Sequence, residues 1–233
     1  MARLLNGKVV IITGSTRHGA KLVLHHIGDE QARLDIIDLK KDIREFSKES
    51  NEVREIDIAA DITDDEAGKS IVDAAVSAFG EVNGLVNNAG ICQFKDFVAV
   101  SKSEAEKHMA VNYHGTFGIT QAVVQQMILQ GKGGSVVSIA SVCATMGAAQ
   151  LTHYSATKAA VLGMMSPGTV ETTMNKEDLV GPKREWMESR VPLGRLGVPQ
   201  DIARPVVFFI SDMAQYVSGQ NLIVDGASTV YYQ

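Results

Sequence analysis

Cysteine is scarce in this chain. Its 233 residues hold two, Cys92 and Cys143, at no metal-ligand spacing. A disulfide framework is therefore not expected, and a reducing compartment fits. Basic charge is not in excess either: the formal net charge is −5, so a nucleic-acid surface is not expected. No apolar run reaches the eighteen or more residues of a membrane span, and residues 1–8 lack a signal-peptide core. Repeats, low-complexity tracts and interdomain linkers are also lacking. The expected location is the cytosol. What is present is a composition 45% hydrophobic and 21% charged, which suits one globular domain with a sizeable core.

Tyr154 and Lys158 are four apart, so on a helix their side chains share a face. A free phenol is a poor base near neutral pH, with a pKa of about 10. A neighbouring ammonium favours the phenolate and pulls that value down. The pair can then take a proton from an alcohol or return one to a carbonyl oxygen. Ser141 ends the apolar run 136–140, thirteen residues before Tyr154. Its hydroxyl can hold a substrate oxygen against the tyrosine. Taken alone, the spacing also describes a surface tyrosine and lysine.

The stretch from Ser141 to Lys158, S-V-C-A-T-M-G-A-A-Q-L-T-H-Y-S-A-T-K, resembles the active site of the short-chain dehydrogenase/reductase family. There Ser, Tyr and Lys serve these roles at this spacing. The resemblance covers nearly the whole chain and implies an α/β fold: a Rossmann-like, doubly wound parallel sheet. It implies one NAD(P)-binding domain over 1–233 with a lid around 173–190. Two internal segments look missing, so the first crossover helix and one late strand are expected to be short or absent.

The first gap follows the strand Lys8–Thr13, whose β-branched residues fit a buried central position. In the family this strand opens a T-G-x-x-x-G-x-G loop, and the next helix holds the cofactor pyrophosphate on its N-terminus. Gly14 matches, but His18 stands where the next glycine belongs, and a second strand begins at Lys21. Parallel neighbours need a crossover of a dozen or more residues. The two strands are therefore expected not to be neighbours, or one is displaced. Arg17 is a candidate for a cofactor 2′-phosphate. His25 and His26 replace the acidic residue usual in NAD enzymes, which favours NADP or dual use; these histidines are expected to face solvent rather than bind metal. No metal site is expected.

The third strand ends near Asp61 and Ile62, which the resemblance places at the adenine. Thr63 or Asp64 also reads as a cap for the helix that follows, 65–79. After the strand 82–87, Asn87-Asn88-Ala89-Gly90 matches the family's N-N-A-G motif. That implies Asn88, Ala89 and Gly90 at the nicotinamide ribose; alone, the tetrapeptide is an ordinary turn. Residues 101–130 read as one long helix. Within it Asn112 resembles a fourth catalytic residue, one that distorts the helix and holds a water in a proton relay to the lysine. The plain alternative is a buried asparagine satisfied by backbone.

The helix bearing Tyr154 and Lys158 is expected to run from Thr152 to about Met165. It meets Pro167, Gly168 and Thr172 directly, which match a P-G-x-x-x-T element contacting the nicotinamide carboxamide. About seventeen residues, including a strand, look missing there. Residues 191–203 and 218–227 match two further family runs. Segments 60–63, 131–135, 152–154, 175–179 and 211–213 resemble fungal aldose dehydrogenases of the L-rhamnose 1-dehydrogenase type. The implied reaction is NAD(P)-dependent oxidation of a sugar hemiacetal to a lactone. Tyr154 would take the proton, Lys158 would lower its pKa and hold the cofactor ribose, and Ser141 would orient the substrate. The implied partners are a small-molecule substrate and further copies of the chain. Two other readings stay open. One is a reductase of another carbonyl, such as a 3-oxoacyl thioester or a secondary metabolite. The other is an inactive shortened product that binds NAD(P) poorly or not at all.

Overall fold

The computed structural model describes residues 5, 8–13, 21–46, 55–162, 165–167, 179–218, 220 and 222–228. In chain order the first elements are β1 (Val9–Thr13), β2 (Lys21–His26), α1 (Glu30–Phe46), β3 (Glu55–Ala59), α2 (Ala67–Phe79) and β4 (Gly84–Asn87). Then come α3 (Lys102–Met109), a π-helical turn (Ala110–Gly115), α4 (Thr116–Leu129), β5 (Ser135–Ser138), α5 (Cys143–Met146) and α6 (Thr152–Ala160). The last are β6 (Met165–Pro167), α7 (Gly181–Ser189), α8 (Pro199–Ile210) and β7 (Leu222–Val224). Contacts divide the chain into two compact units. One is Met1–Gly90, Ala110–Val137 and Phe208–Gln215; the other is Ile91–Met109, Ser138–Val207 and Tyr216–Gln233.

The first unit carries a five-stranded sheet in the order β3-β2-β1-β4-β5. β1 runs parallel to β2 and β4, and β2 runs parallel to β3. Alternation along a strand sends successive side chains to opposite faces. Val9 and Ile11 of β1, Val23 of β2 and Leu85 of β4 join Ile71, Val72 and Ala75 of α2 and Ile119, Val123 and Met127 of α4 in one buried core. Val10, Leu22, Leu24 and Val86 are buried as well. Burial on both faces is why these strands read as continuous apolar runs.

β1 and β2 are neighbours after all, with Val9 opposite Lys21 and Thr13 opposite His25. This corrects the expectation from crossover length. The eight steps from Thr13 to Lys21 reach about 27 Å when extended. Returning beside β1 needs about 13 Å along the strand and about 5 Å across. Seven linking residues suffice for that return but leave no room for a packed helix of several turns. A second correction concerns the histidines. His25 and His26 are the last residues of β2 and both are buried. The His25 ring Nε2 meets the Ala60 carbonyl at 2.8 Å, and His26 Nε2 lies 3.4 Å from Asp57 Oδ2. Sheet pairing carried through to His26 took them out of solvent.

The turn before α2 is also built differently from the expectation. Asp61 Oδ1 accepts from the Thr63 amide at 2.9 Å and the Thr63 hydroxyl at 2.7 Å. The residue at the helix N-cap is Glu66, with no side-chain cap bond. Thr63 and Asp64 thus do not cap α2. At its other end Gly80, with φ 84°, closes the helix by donating to the Val76 carbonyl.

The long helix from residue 101 onward is interrupted by the π turn around Asn112. A glycine allows close packing at the end of that turn, and a second glycine one turn on is open. A Cβ on Gly115 would fall 2.7 Å from Ile62 Cγ1 and 2.8 Å from the Ile62 carbonyl oxygen. A Cβ on Gly118 would meet nothing within 4 Å. Alanine favours a helix over glycine by about 1 kcal/mol at both sites. At Gly115 overpacking against backbone costs about 1–3 kcal/mol and wins. Gly115→Ala is therefore expected to lower stability, and Gly118→Ala to raise it by about 0.5–1 kcal/mol. Urea unfolding of the two variants checks both signs; equal shifts would refute the steric account.

In the second unit β6 pairs with β7 in parallel, Met165 opposite Leu222 and Pro167 opposite Val224. The late strand is thus short rather than gone. α6 ends at Ala160, five residues before the expected Met165, and a turn follows at Val161. The chain must leave the helix to enter β6. Of the expected lid, residues 173–178 lie outside the described residues, and 181–189 form α7. Its Met187 packs against buried Leu179, Val191 and Leu196. Among the described residues no helix is long and apolar enough to cross a membrane.

Candidate active site

β5 and α6 set the geometry of the site. Beyond β5 the chain passes Ile139 and buried Ala140 to Ser141, and a turn leads into α5. The Cys143 amide donates to Ser141 Oγ at 3.2 Å, which fixes the serine hydroxyl at the turn. Tyr154 and Lys158 lie one turn apart on α6, and Thr157 between them is locked by donating to the Tyr154 carbonyl at 2.8 Å. The Lys158 ammonium lies 5.8 Å from the centre of the Tyr154 ring and donates to the Ile139 carbonyl at 2.8 Å. The Ser141 hydroxyl lies near enough to the Tyr154 phenol to pull its pKa down. Ser141, Tyr154 and Lys158 therefore converge within the second unit.

The electrostatics differ from the simple picture of a lysine acidifying a phenol. Burial pushes the Tyr154 phenol up, and the nearby Cys92 adds to that. The Ser141 hydroxyl works the other way. Lys158 is only 6% exposed, and burial pulls its ammonium down to about 8. The expectation that Lys158 lowers the tyrosine is not met in this state: burial dominates at both groups, and the ammonium donates to the Ile139 carbonyl.

The other expected residues are distributed as follows. Asn112, buried at 1% exposure, sits at the π turn in the first unit, and its carbonyl accepts from the Thr116 hydroxyl at 2.9 Å. π turns occur often at functional sites. Asp61 and Ile62 lie in the turn after β3, with Ile62 against Gly115. Asn88, Ala89 and Gly90 follow β4. The amides of Asn88 and Ala89 both donate to Thr13 Oγ1, at 2.9 and 3.0 Å, and Thr13 donates to the Val86 carbonyl at 3.3 Å. Pro167 ends β6. Gly14, Arg17, Gly168 and Thr172 lie outside the described residues. Among the described residues no group of three His, Cys, Asp or Glu side chains can hold a metal ion.

Two participants escaped the sequence. The Ile139 carbonyl has no side-chain signature. Thr13 had one, as the first polar residue after four apolar β-branched ones, yet its role depends on β4 lying alongside.

A Lys158 ammonium has three N–H bonds and spends one on Ile139. The remaining donors suit a pair of ribose hydroxyls, so this half of the site fits a nicotinamide nucleotide.

Comparison with known proteins agrees. The family profile described as short chain dehydrogenase matches residues 8–176, and one described as Enoyl-(Acyl carrier protein) reductase matches residues 164–229. An L-rhamnose-1-dehydrogenase of Scheffersomyces stipitis is 42% identical over 264 aligned positions, covering 100% of both chains. That is 31 positions more than the 233 residues of this chain. An L-rhamnose 1-dehydrogenase (NAD(P)(+)) of Azotobacter vinelandii is 40% identical, covering 99% of this chain and 100% of its own. A gluconate 5-dehydrogenase from Burkholderia cenocepacia, solved in complex with NADP and tartrate, superposes with a TM-score of 0.83 at 26% identity, covering 99% of this chain and 98% of that one. By its sequence, its parallel sheet and its full-length likeness to these enzymes, the chain belongs to the short chain dehydrogenase family.

Proposed function

We propose that this chain is an NAD(P)-dependent oxidoreductase that oxidises an aldose hemiacetal to its lactone, with L-rhamnose as the first substrate to test. The convergence of Ser141, Tyr154 and Lys158 is the observation that carries the reading. Full-length likeness to L-rhamnose dehydrogenases supports the substrate class.

The bound nicotinamide would supply the hydride acceptor. The protein's part is proton transfer and positioning. Ser141 holds the sugar hydroxyl beside Tyr154. Tyr154 takes its proton as the carbonyl forms. Lys158 holds the ribose and stabilises the charge that develops on the tyrosine oxygen. Asn112 completes a proton relay to Lys158. Asn88, Ala89, Gly90, Pro167, Gly168 and Thr172 serve the nicotinamide half of the cofactor, and Asp61 and Ile62 the adenine. Gly14 and Arg17 serve its phosphates, and Arg17 together with the missing acidic residue after β2 favours NADP. A cytosolic location fits the two free cysteines.

A second reading has its own support. The 31 surplus aligned positions and the short link between β1 and β2 favour a chain shortened where the pyrophosphate-binding helix belongs. Losing two charge-assisted hydrogen bonds removes about 1.5–3 kcal/mol each, and losing the helix dipole about 0.3–1 kcal/mol. That is a hundredfold or more in affinity. Purified protein is expected to bind NADPH and NADH only in the millimolar range, as read by fluorescence titration. Micromolar binding by a monodisperse sample would sink the shortened-chain reading. Turnover is then assayed at saturating cofactor with L-rhamnose, other aldoses and an acetoacetyl thioester. Exclusive thioester reduction would overturn the sugar assignment.

A homo-oligomer is also proposed. α4 carries no charged residue and leaves Phe117, Ile128 and Leu129 exposed. Light scattering on the same sample reads the mass; a monomer refutes it.

A further inference from the structure

α6 has an unusual beginning. The residue at its N-cap is Leu151, which offers no side-chain cap bond. Helices more often start on Ser, Thr, Asp or Asn, whose side chains fix the first turn. Here the residue before the cap does the fixing. Gln150 has φ 62°, a left-handed conformation that a non-glycine residue seldom adopts.

Three hydrogen bonds hold it there. The Lys95 amide donates to the Gln150 carbonyl at 2.8 Å. The Gln150 amide group donates to Asp96 Oδ1 at 3.0 Å. The Leu151 amide donates to the Ala148 carbonyl at 3.2 Å. The anchoring loop is itself anchored. Lys95 Nζ donates to both carboxylate oxygens of Glu104, at 2.7 and 2.9 Å. Glu104 and Ser101 form a reciprocal capping box at the start of α3: the Ser101 amide donates to Glu104 Oε2 at 2.8 Å, and the Glu104 amide donates to Ser101 Oγ at 3.2 Å. Further along, α3 and α6 meet again through His108 and His153, buried rings packed edge to face at 4.4 Å. His153 is the residue before Tyr154.

We propose that Gln150 and Asp96 form a latch that sets the position of Tyr154: positioning residues that act through the first turn of α6 and touch neither substrate nor cofactor. The strain at Gln150 offsets what a pair of exposed hydrogen bonds returns. The latch therefore adds little net stability. What it fixes is where α6 starts, and with it the height and direction of the tyrosine oxygen. A displacement of about 1 Å at a reacting group can slow turnover a hundredfold. The catalytic part of this inference rests on the proposed oxidoreductase function; the structural part does not.

The test compares the parent chain with Gln150→Gly, which accepts the backbone angle and removes the bond to Asp96, with Asp96→Ala, and with Asp96→Asn, which keeps an acceptor. Hydrogen exchange is followed across residues 150–160 together with kcat, the aldose KM and the thermal midpoint. In Gln150→Gly and Asp96→Ala, amide exchange around Tyr154 is expected to speed up at least tenfold, locally. kcat is expected to fall about tenfold or more, with KM and the midpoint nearly unchanged and Asp96→Asn restoring both readouts. Unchanged exchange in both variants overturns the latch. Exchange that speeds up equally throughout the chain also overturns it, because that is a global loss of stability. Local exchange changes in a parent chain without turnover support the latch and defeat only the functional reading.

Discussion

Tyr154→Phe is expected to lower turnover of L-rhamnose by about a hundredfold to ten-thousandfold, the usual contribution of a positioned acid or base. The side chain keeps its ring, its place on α6 and its packing. It loses only the oxygen that faces Ser141 and that the proposed mechanism uses to accept the proton. Cofactor binding is therefore expected to stay within twofold of the parent, since Lys158 and the turn after β4 are untouched. The effect should fall on kcat and on kcat/KM together. Because burial pushes the phenol up, the parent's kcat is expected to rise with pH through the alkaline range, and this rise is expected to vanish in the variant. Steady-state kinetics with fluorescence titration of cofactor decides the matter. A variant that keeps more than a tenth of the parent's turnover refutes the acid–base role.

Lys158→Met is expected to abolish turnover and yet stabilise the fold. The ammonium is buried, and desolvation lowers it from 10.5 to about 8. At about 1.4 kcal/mol per pKa unit, keeping it charged in the folded state costs about 3 kcal/mol at pH 7. The variant leaves the Ile139 carbonyl without this donor, which takes back about 1–2 kcal/mol. A net gain of about 1–2 kcal/mol corresponds to a few degrees in thermal midpoint for a chain of this size. The pH dependence carries the sign. The unfolded lysine titrates at 10.5 and the folded one near 8. Between those values the unfolded chain binds the extra proton, so the parent gains stability as pH rises through the window. Below pH 8 the full penalty is present. Lys158→Met should remove that rise. A thermal midpoint below the parent's at pH 7, or an unchanged slope above pH 8, would show that the charge is not penalised.

The expected features fared differently for identifiable reasons. β1, β4 and the run into Ser141 were legible because strands buried on both faces are written as continuous apolar segments. The Tyr154–Lys158 pair was legible because helical spacing places i and i+4 together regardless of what surrounds them. The pairing of β1 with β2 was not, because the rule for parallel crossovers assumes a helix in the connection. A short return satisfies the same register with far fewer residues. His25 and His26 were misjudged for a related reason. Imidazole is compatible with burial or exposure, and only the pairing with β3 and the acceptors at Ala60 and Asp57 determined which.

By itself, the sequence determined the family, the α/β order of elements and the three residues of the candidate site. Those properties reside in residue type and local spacing, which survive without knowledge of distant contacts. The tertiary structure alone decided that the Lys158 ammonium faces the Ile139 carbonyl and that Thr13 organises the turn after β4. It alone decided that β6 exists as a three-residue strand, and that Gln150 is held left-handed by a loop 54 positions away in sequence. Each of these is a hydrogen bond between backbone or side-chain groups far apart in the chain. Backbone donors and acceptors are the same at every residue, so no pattern of side chains announces where they will meet.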